Sequence, residues 1–573
     1  YGVYFIYTNN TSVEYNTINN AGGGGSAHAS TFYGIFGSTV KGTVAYNNNA
    51  LTLNTSSTSA VNGIYQGNGT NVATQDYNNN TFSGSIAATS TSYLIYASNT
   101  TAFAKNAIGN SISGSFTKTG ASGTFYCFYD FGSPTGVATI SDNNFSNISL
   151  TGTSTFYGIN LNTTATHTQN VYNNTLSNIT SGSGTSYGIS LASANTRSVY
   201  GNTIGDFSGA GTVYGIYISS GGNTTNDFYK NKIYNLSSSS TSATAGLVTG
   251  IYFSTIGTAA SGNNVYNNII GNLTASAATG SDAVRGIAFT SVTSNATINA
   301  FYNTIYVAGA GGTNFGSSGI YHSASATATS SNLNLINNII VNKATANGTG
   351  RTVALRRSSN SVNTLNNYNA ASNNNLFYAN GGYVYYDGTE FATTITDFQN
   401  GVFTSGTIAP RESSSFSESP TFLNTATGSS ADFLHIDPSV PTQVESGGTP
   451  IAVTDDFDGD ARGGTPDVGA DEGTFTPAIS MSYTSSTTEQ VTGFAYAGAI
   501  NQNVIRVKVV TTGSLNPINL TSLTLNANGT TAIGDINAAT AKVYYTGSST
   551  TFSTSTLFGE TTPTISNFVV TGT

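Results

Sequence analysis

The chain holds no tryptophan, one cysteine, one methionine and 10 prolines in 573 residues, and only 7% of its residues are charged. Each shortage closes off a class. A single cysteine, Cys127, leaves no disulfide framework, and its place in a strand-like run makes it a small buried residue rather than a reactive thiol. No long apolar run is present to span a membrane. With 16 Lys and Arg against 25 Asp and Glu, the basic patch that nucleic acid needs is missing. A charge content far below the roughly 25% of ordinary globular proteins fits disorder, but disordered chains also lack aromatic and β-branched residues. Here there are 34 Tyr and 30 Phe among abundant Gly, Asn, Ser and Thr. That mixture reads as strands joined by tight turns.

What is present is a repeat. An asparagine followed two positions later by a large apolar residue recurs at Asn16, Asn49, Asn80, Asn110, Asn143, Asn174, Asn202, Asn231, Asn268, Asn303, Asn338 and Asn375, spaced 28 to 37 residues apart. A period in that range denotes a solenoid. A second anchor is a Tyr-Gly-Ile strand, as in Tyr33-Gly34-Ile35, Tyr157-Gly158-Ile159, Tyr187-Gly188-Ile189 and Tyr214-Gly215-Ile216. Short alternating runs predict two or three strands per turn, stacked into a parallel β-helix. The asparagine column is expected to make the left-handed bend between strands and to form an amide ladder. Twelve coils make eleven steps of ~4.8 Å, a rod of about 50 Å.

This pattern resembles the Asn-rich form of right-handed parallel β-helix proteins of the pectin-lyase-like kind, found among secreted and surface proteins of Bacteroidota. The resemblance covers residues 1–473, with repeats to about 377 and an acidic closing region at 378–473. It implies an extracellular location, and it serves architecture better than activity, since that fold hosts lyases, hydrolases, adhesins and passive stalks.

Charge is unevenly placed. Residues 1–370 carry 7 acidic and 11 basic side chains, whereas 371–473 carry 15 acidic and 2 basic. The densest stretch reads Asp455-Asp456-Phe457-Asp458-Gly459-Asp460-Ala461-Arg462, then Pro466-Asp467-Val468-Gly469-Ala470-Asp471-Glu472. It resembles the closing motif of bacterial surface β-helices. Pairing of Arg462 with the acids to lock the end of the solenoid is one expectation. Calcium on Asp456, Asp458, Asp460 and Asp467 is the other, since carboxylates alternating around a glycine suit a hard cation.

Polysaccharide cleavage needs two carboxylates facing one sugar, or a base beside a charge-neutralising group. The seven acids of the coils are Glu14, Asp76, Asp130, Asp142, Asp206, Asp227 and Asp282, and they share no register. Asp142 and Asp206 occupy turn positions that hold Asn elsewhere. Arg351, Arg356 and Arg357 form the one basic cluster, and His28, His167 and His322 are scattered. Strand alternation places Tyr65, Tyr96, Tyr129, Tyr217, Tyr252 and Tyr321 outward as a stripe. It reads as a self-stabilising ladder or as a contact surface for glycans or a protein partner.

From about Pro477 the repeat is lost. Strand candidates at 504–510, 520–525 and 541–545 have sandwich-like patterning. The runs Ile505-Arg506-Val507-Lys508-Val509 and Leu515-Asn516-Pro517-Ile518 resemble the β-sandwich found beside sialidase-type propellers. The expectation is therefore an all-β chain: a parallel β-helix over 1–473, then an incomplete sandwich spacer over 477–573. Functionally it is a non-enzymatic stalk or adhesin segment of a larger surface protein. The alternatives are a carbohydrate-active enzyme and a calcium-dependent glycan-binding module. The open coil ends predict cover from flanking sequence or from neighbouring subunits.

Overall fold

The computed structural model describes all residues except 21–29, 99–101, 133–134, 164–166, 223, 258–261, 360–364, 405, 495, 497, 531, 536–540 and 573. His28 thus lies outside the described residues. Two compact units emerge, Tyr1–Thr476 and Pro477–Thr573.

Each turn of the first unit lays down three short strands, for example Thr155–Leu161, Thr168–Tyr172 and Thr175–Thr180. Each strand pairs in parallel with its counterpart one turn later: Tyr157 with Tyr187, Val171 with Val199, Leu176 with Ile204. Repetition builds three sheets of 14, 11 and 12 strands, a parallel β-solenoid of about eleven turns. Inward residues such as Ile159, Val171, Leu176, Ile189, Val199 and Ile204 are fully buried and form one continuous core. The glycine of Tyr-Gly-Ile sits where turns approach most closely. A Cβ on Gly188 would stand 2.5 Å from the carbonyl oxygen of Gly215 and 2.9 Å from Ile204. Cys127 fills the same place in its own strand and is buried, with its thiol pushed well up by desolvation.

The asparagine column divides its expected work with its neighbours. The left-handed residue is the one before it: Asn48, Asn79, Asp142, Asn173, Lys230, Asn267, Tyr302, Asn337 and Asn374 all have φ between 51° and 58°, and Gly109 and Gly201 stand at 69° and 61°. The column itself makes the ladder. From Asn16 to Asn375, each Nδ2 donates to the Oδ1 one turn on, at 2.8 to 3.0 Å over eleven steps. The same Oδ1 accepts the backbone N–H of the preceding asparagine, as Asn174 does from Asn143 at 3.2 Å. The second Nδ2 hydrogen meets a carbonyl, as on Ile140 at 2.9 Å. An aspartate lacks these donors. Here the expectation of a bend-forming column is corrected: the bend and the ladder belong to adjacent positions.

The parallel stack closes on itself at one end. Tyr383–Tyr386 pairs antiparallel with Phe391–Ala392, and a short helix, Ile395–Asn400, follows. Thr394 caps that helix by accepting from Asp397 N–H, and Gly401 ends it at φ 66°. Phe398 then packs on Phe377, Tyr385 and Phe403 across the last turn. The end of the solenoid is therefore covered by 383–416, whereas the Asp-rich motif lies elsewhere.

From about 422 the chain runs back along the outside of the third sheet as a strap. Phe422, Phe433, Leu434, Ile436, Val444, Val468, Ala470 and Phe475 bury themselves against Tyr234, Ile269, Ile339, Val341 and Leu376. The second unit contains three two-stranded antiparallel sheets, among them Ser482–Gln490 with Ile505–Thr512 and Ser522–Asn526 with Asn567–Thr571.

Candidate functional site

The acidic motif is a structural part of the strap. Asp456 is buried, and its carboxylate accepts from Gly459, Asp460 and Glu472 backbone amides at 2.8, 2.8 and 2.9 Å. Asp467 accepts from Ser446 and Gly473 amides at 2.7 and 2.9 Å, and burial pushes its carboxyl up to about 7. Arg462 threads between strap and solenoid. It donates to Glu472 at 2.9 Å, to Asn267 at 3.1 Å and to the carbonyls of Asp455, Asp467 and Gly469. Its guanidinium also lies 3.8 Å from the centre of the Tyr302 ring, a cation–π contact. Asp455 pairs with Lys230 at 2.6 Å. Arg462 thus does pair with the motif, but it fastens a flank where the sequence suggested an end.

Of the four carboxylates singled out for calcium, Asp456 and Asp467 are turned to backbone amides. Asp460 is exposed, and Asp458 turns away to His435 Nε2 at 2.6 Å. Among the described residues, the one group of three or more His, Cys, Asp or Glu with ligand atoms mutually within 4.8 Å is His435, Asp458 and Asp471. The neighbouring His435 ring depresses the Asp458 carboxyl below its usual range. Burial pushes Asp471 up to about 6. Burial works against charge on His435, but Asp458 and Asp471 hold it above its usual value. His435 belongs to no spacing motif, so the sequence alone did not point to it.

The six tyrosines of the expected stripe form two short stacks and one isolated ring, because Asn160, Ser190 and Ala288 interrupt their column. Tyr65 stacks on Tyr96 with centroids 4.2 Å apart, Tyr129 follows Tyr96 at 5.5 Å, and Tyr217 stacks on Tyr252 at 5.5 Å. Tyr321 stands apart under the guanidinium of Arg285, at 3.8 Å. Beside this column runs a second one, made by the tyrosine at the first position of the Tyr-Gly-Ile motif and its counterparts in Tyr93-Leu94-Ile95 and Tyr126-Cys127-Phe128. Tyr93, Tyr126, Tyr157, Tyr187 and Tyr214 stack in sequence at 5.0, 4.8, 4.5 and 5.4 Å. A third stack, Tyr172–Tyr200–Tyr229–Tyr266, lines the second sheet at 4.8 to 4.9 Å. In such columns the ring faces meet one another, leaving edges and hydroxyls to solvent.

Several of the remaining charged side chains of the coils are spent locally. Lys105 and Asp130 pair inside the core, both fully buried. Asp282 is surrounded by Arg285 (2.7 Å), Arg356 (3.3 Å) and the Ser318 hydroxyl (2.7 Å). Burial raises its pKa, but the two guanidinium groups outweigh that and hold it below the usual range. Arg356 is buried too, in register with Tyr321 and Tyr386, whereas Arg357 is buried with His322 and Asn367. Burial pushes the His322 ring down to about 3. Asp142 and Asp206 occupy left-handed bends at φ 57° and 56°, as turn residues do. Asp206 accepts from Asn235 at 2.7 Å in a surface ladder of its own. Among the described residues, no helix is long and apolar enough to cross a membrane. No family model, curated protein or solved structure matches the chain.

Proposed function

We propose that the chain is a non-enzymatic extracellular stalk or adhesin segment, a rigid scaffold for display or attachment on a bacterial surface protein. The observation that carries this reading is the internal use of its chemistry. Polar amides are consumed by the ladder, aromatic faces by one another, and carboxylates by bends, backbone amides and arginines. The resemblance to Asn-rich β-helices of bacterial surfaces supports the location. A glycosidase needs two opposed carboxyl groups about 5–10 Å apart across a sugar, whereas Asp130, Asp282, Asp456 and Asp467 are bound to lysine, arginine or backbone amides. The test is incubation of the chain with pectin, alginate and host glycans, followed by product analysis and affinity electrophoresis. The scaffold reading expects neither cleavage nor retention. New reducing ends or unsaturated products would replace it with the enzyme.

A further inference from the structure

The geometry points to a divalent transition-metal site, of the zinc class, formed by His435, Asp458 and Asp471. Their ligand atoms lie within 4.8 Å of one another. Zinc–nitrogen and zinc–oxygen bonds of about 2.0–2.1 Å place tetrahedral ligands about 3.3 Å apart, so a modest inward shift of the half-exposed Asp458 side chain toward His435 and Asp471 suffices. A neutral imidazole with two carboxylates carries two negative charges, which a divalent ion balances.

Two further contacts orient the donors. His435 Nδ1 lies 3.2 Å from the Phe433 carbonyl oxygen, which takes one ring proton; the other sits on Nε2 and donates to Asp458 at 2.6 Å, and a bound metal ion would replace it. The Ile436 N–H holds one oxygen of the buried Asp471 at 2.7 Å. Support of this kind, here behind His435 and Asp471, is what metal-binding histidines and carboxylates ordinarily have. Imidazole nitrogen suits zinc, nickel or copper, whereas calcium takes six to eight oxygens. Half of the Asp458 side chain is exposed (49%), so a fourth position opens to water.

The three donors come from separate stretches of the strap, and Lys232, beside them, donates to the Ser430 carbonyl. A bound ion would tie those stretches together over the third sheet. The site stands whether the chain is a stalk or an enzyme.

The test is calorimetric titration of the EDTA-treated full chain with zinc chloride, repeated with His435→Ala and Asp458→Asn. One saturable site is expected, weakened at least about tenfold by each substitution. Cobalt(II) chloride should produce a visible d–d band that His435→Ala abolishes, and calcium chloride at equal concentration should not compete. Asp458 is exposed, so its variant folds, which far-UV circular dichroism checks. Absence of saturable zinc binding overturns the site. So does undiminished binding in either variant, or displacement of zinc by calcium.

Discussion

The side-chain amide of Asn375 donates to both oxygens of the Glu412 carboxylate, at 3.0 and 3.3 Å. Every earlier rung passes its donor to an asparagine one turn on. Asn375 has no successor, and Glu412 takes that place. Ser415 completes the substitution by accepting the backbone N–H of Asn375 at 2.8 Å while donating to Glu412, and Tyr368 adds its hydroxyl. Burial nonetheless pushes the Glu412 carboxyl from 4.5 up to about 7.

That shift has a sign. Between about 4.5 and 7 the folded chain keeps a proton that the unfolded chain has released, so stability from this group falls as pH rises. It is fully present below 4.5 and lost above about 7, a difference of at most about 3 kcal/mol. Hydrogen exchange around 372–416 should therefore be slower at pH 5 than at pH 8, after correction for intrinsic rates. Glu412→Gln should flatten that dependence. An unchanged slope in the variant would count against Glu412 as its source.

The ladder itself is tested at Asn174. Its Oδ1 accepts from Asn143 N and Nδ2, at 3.2 and 2.8 Å. Asn174→Ala strands both buried donors at a cost of about 3 kcal/mol. Asn174→Asp should be worse, because a carboxylate oxygen then faces Asn202 Oδ1. Since solenoid turns couple mainly to their neighbours, the amides of Asn143 and Asn174 should exchange faster while those near Asn338 do not change. A uniform effect along the chain would contradict the nearest-neighbour picture.

Much of this was legible, and the misses have physical reasons. The column admits Asn alone, whereas the position before it takes Asn, Asp, Gly, Lys or Tyr. A left-handed bend tolerates several side chains, but a ladder needing a donor and an acceptor at one length tolerates one. That contrast distinguishes bend from ladder, although the column was expected to make both. The strap also leaves a mark in the sequence, which the expectation of an end-closing region passed over. Outward residues of the third sheet change from Thr203 and Gly205 to Tyr234, Ile269, Ile339, Val341 and Leu376. Doubled apolar residues such as Ile269-Ile270 and Ile339-Ile340 mark a strand covered on both faces. The meeting of His435 with Asp458 had no such mark, because it depends on how two irregular loops lie on the sheet.

Arg462 tests the strap. Its planar fork spans a carboxylate, an amide oxygen and three carbonyls while lying on Tyr302. Lysine keeps the charge but reaches fewer of these acceptors. Arg462→Lys should loosen the strap by about 3 kcal/mol. Limited proteolysis should then cut within 423–475 while turns before Asn202 stay intact. Equal resistance of variant and wild type would mean that the apolar contacts of Phe433, Leu434 and Val468 hold the strap unaided.

The tyrosine columns decide between scaffold and sugar platform, and Tyr157 is the informative ring. It lies between Tyr126 and Tyr187 at 4.8 and 4.5 Å, with planes inclined by only 9° and 5°. A sugar stacks on an aromatic face, and both faces of this ring are taken. Tyr157→Ala should therefore cost about 1–3 kcal/mol of stability, since each aromatic pair contributes about 0.5–1.5 kcal/mol beyond its buried area. It should leave affinity electrophoresis in pectin or alginate gels unchanged. Tyr157→Phe keeps both stacks and removes only the hydroxyl, so it should remain close to wild type in thermal melting. Retention of wild type that disappears in Tyr157→Ala, with melting unaltered, would mean that these rings serve a ligand and that the self-stacked column is incidental.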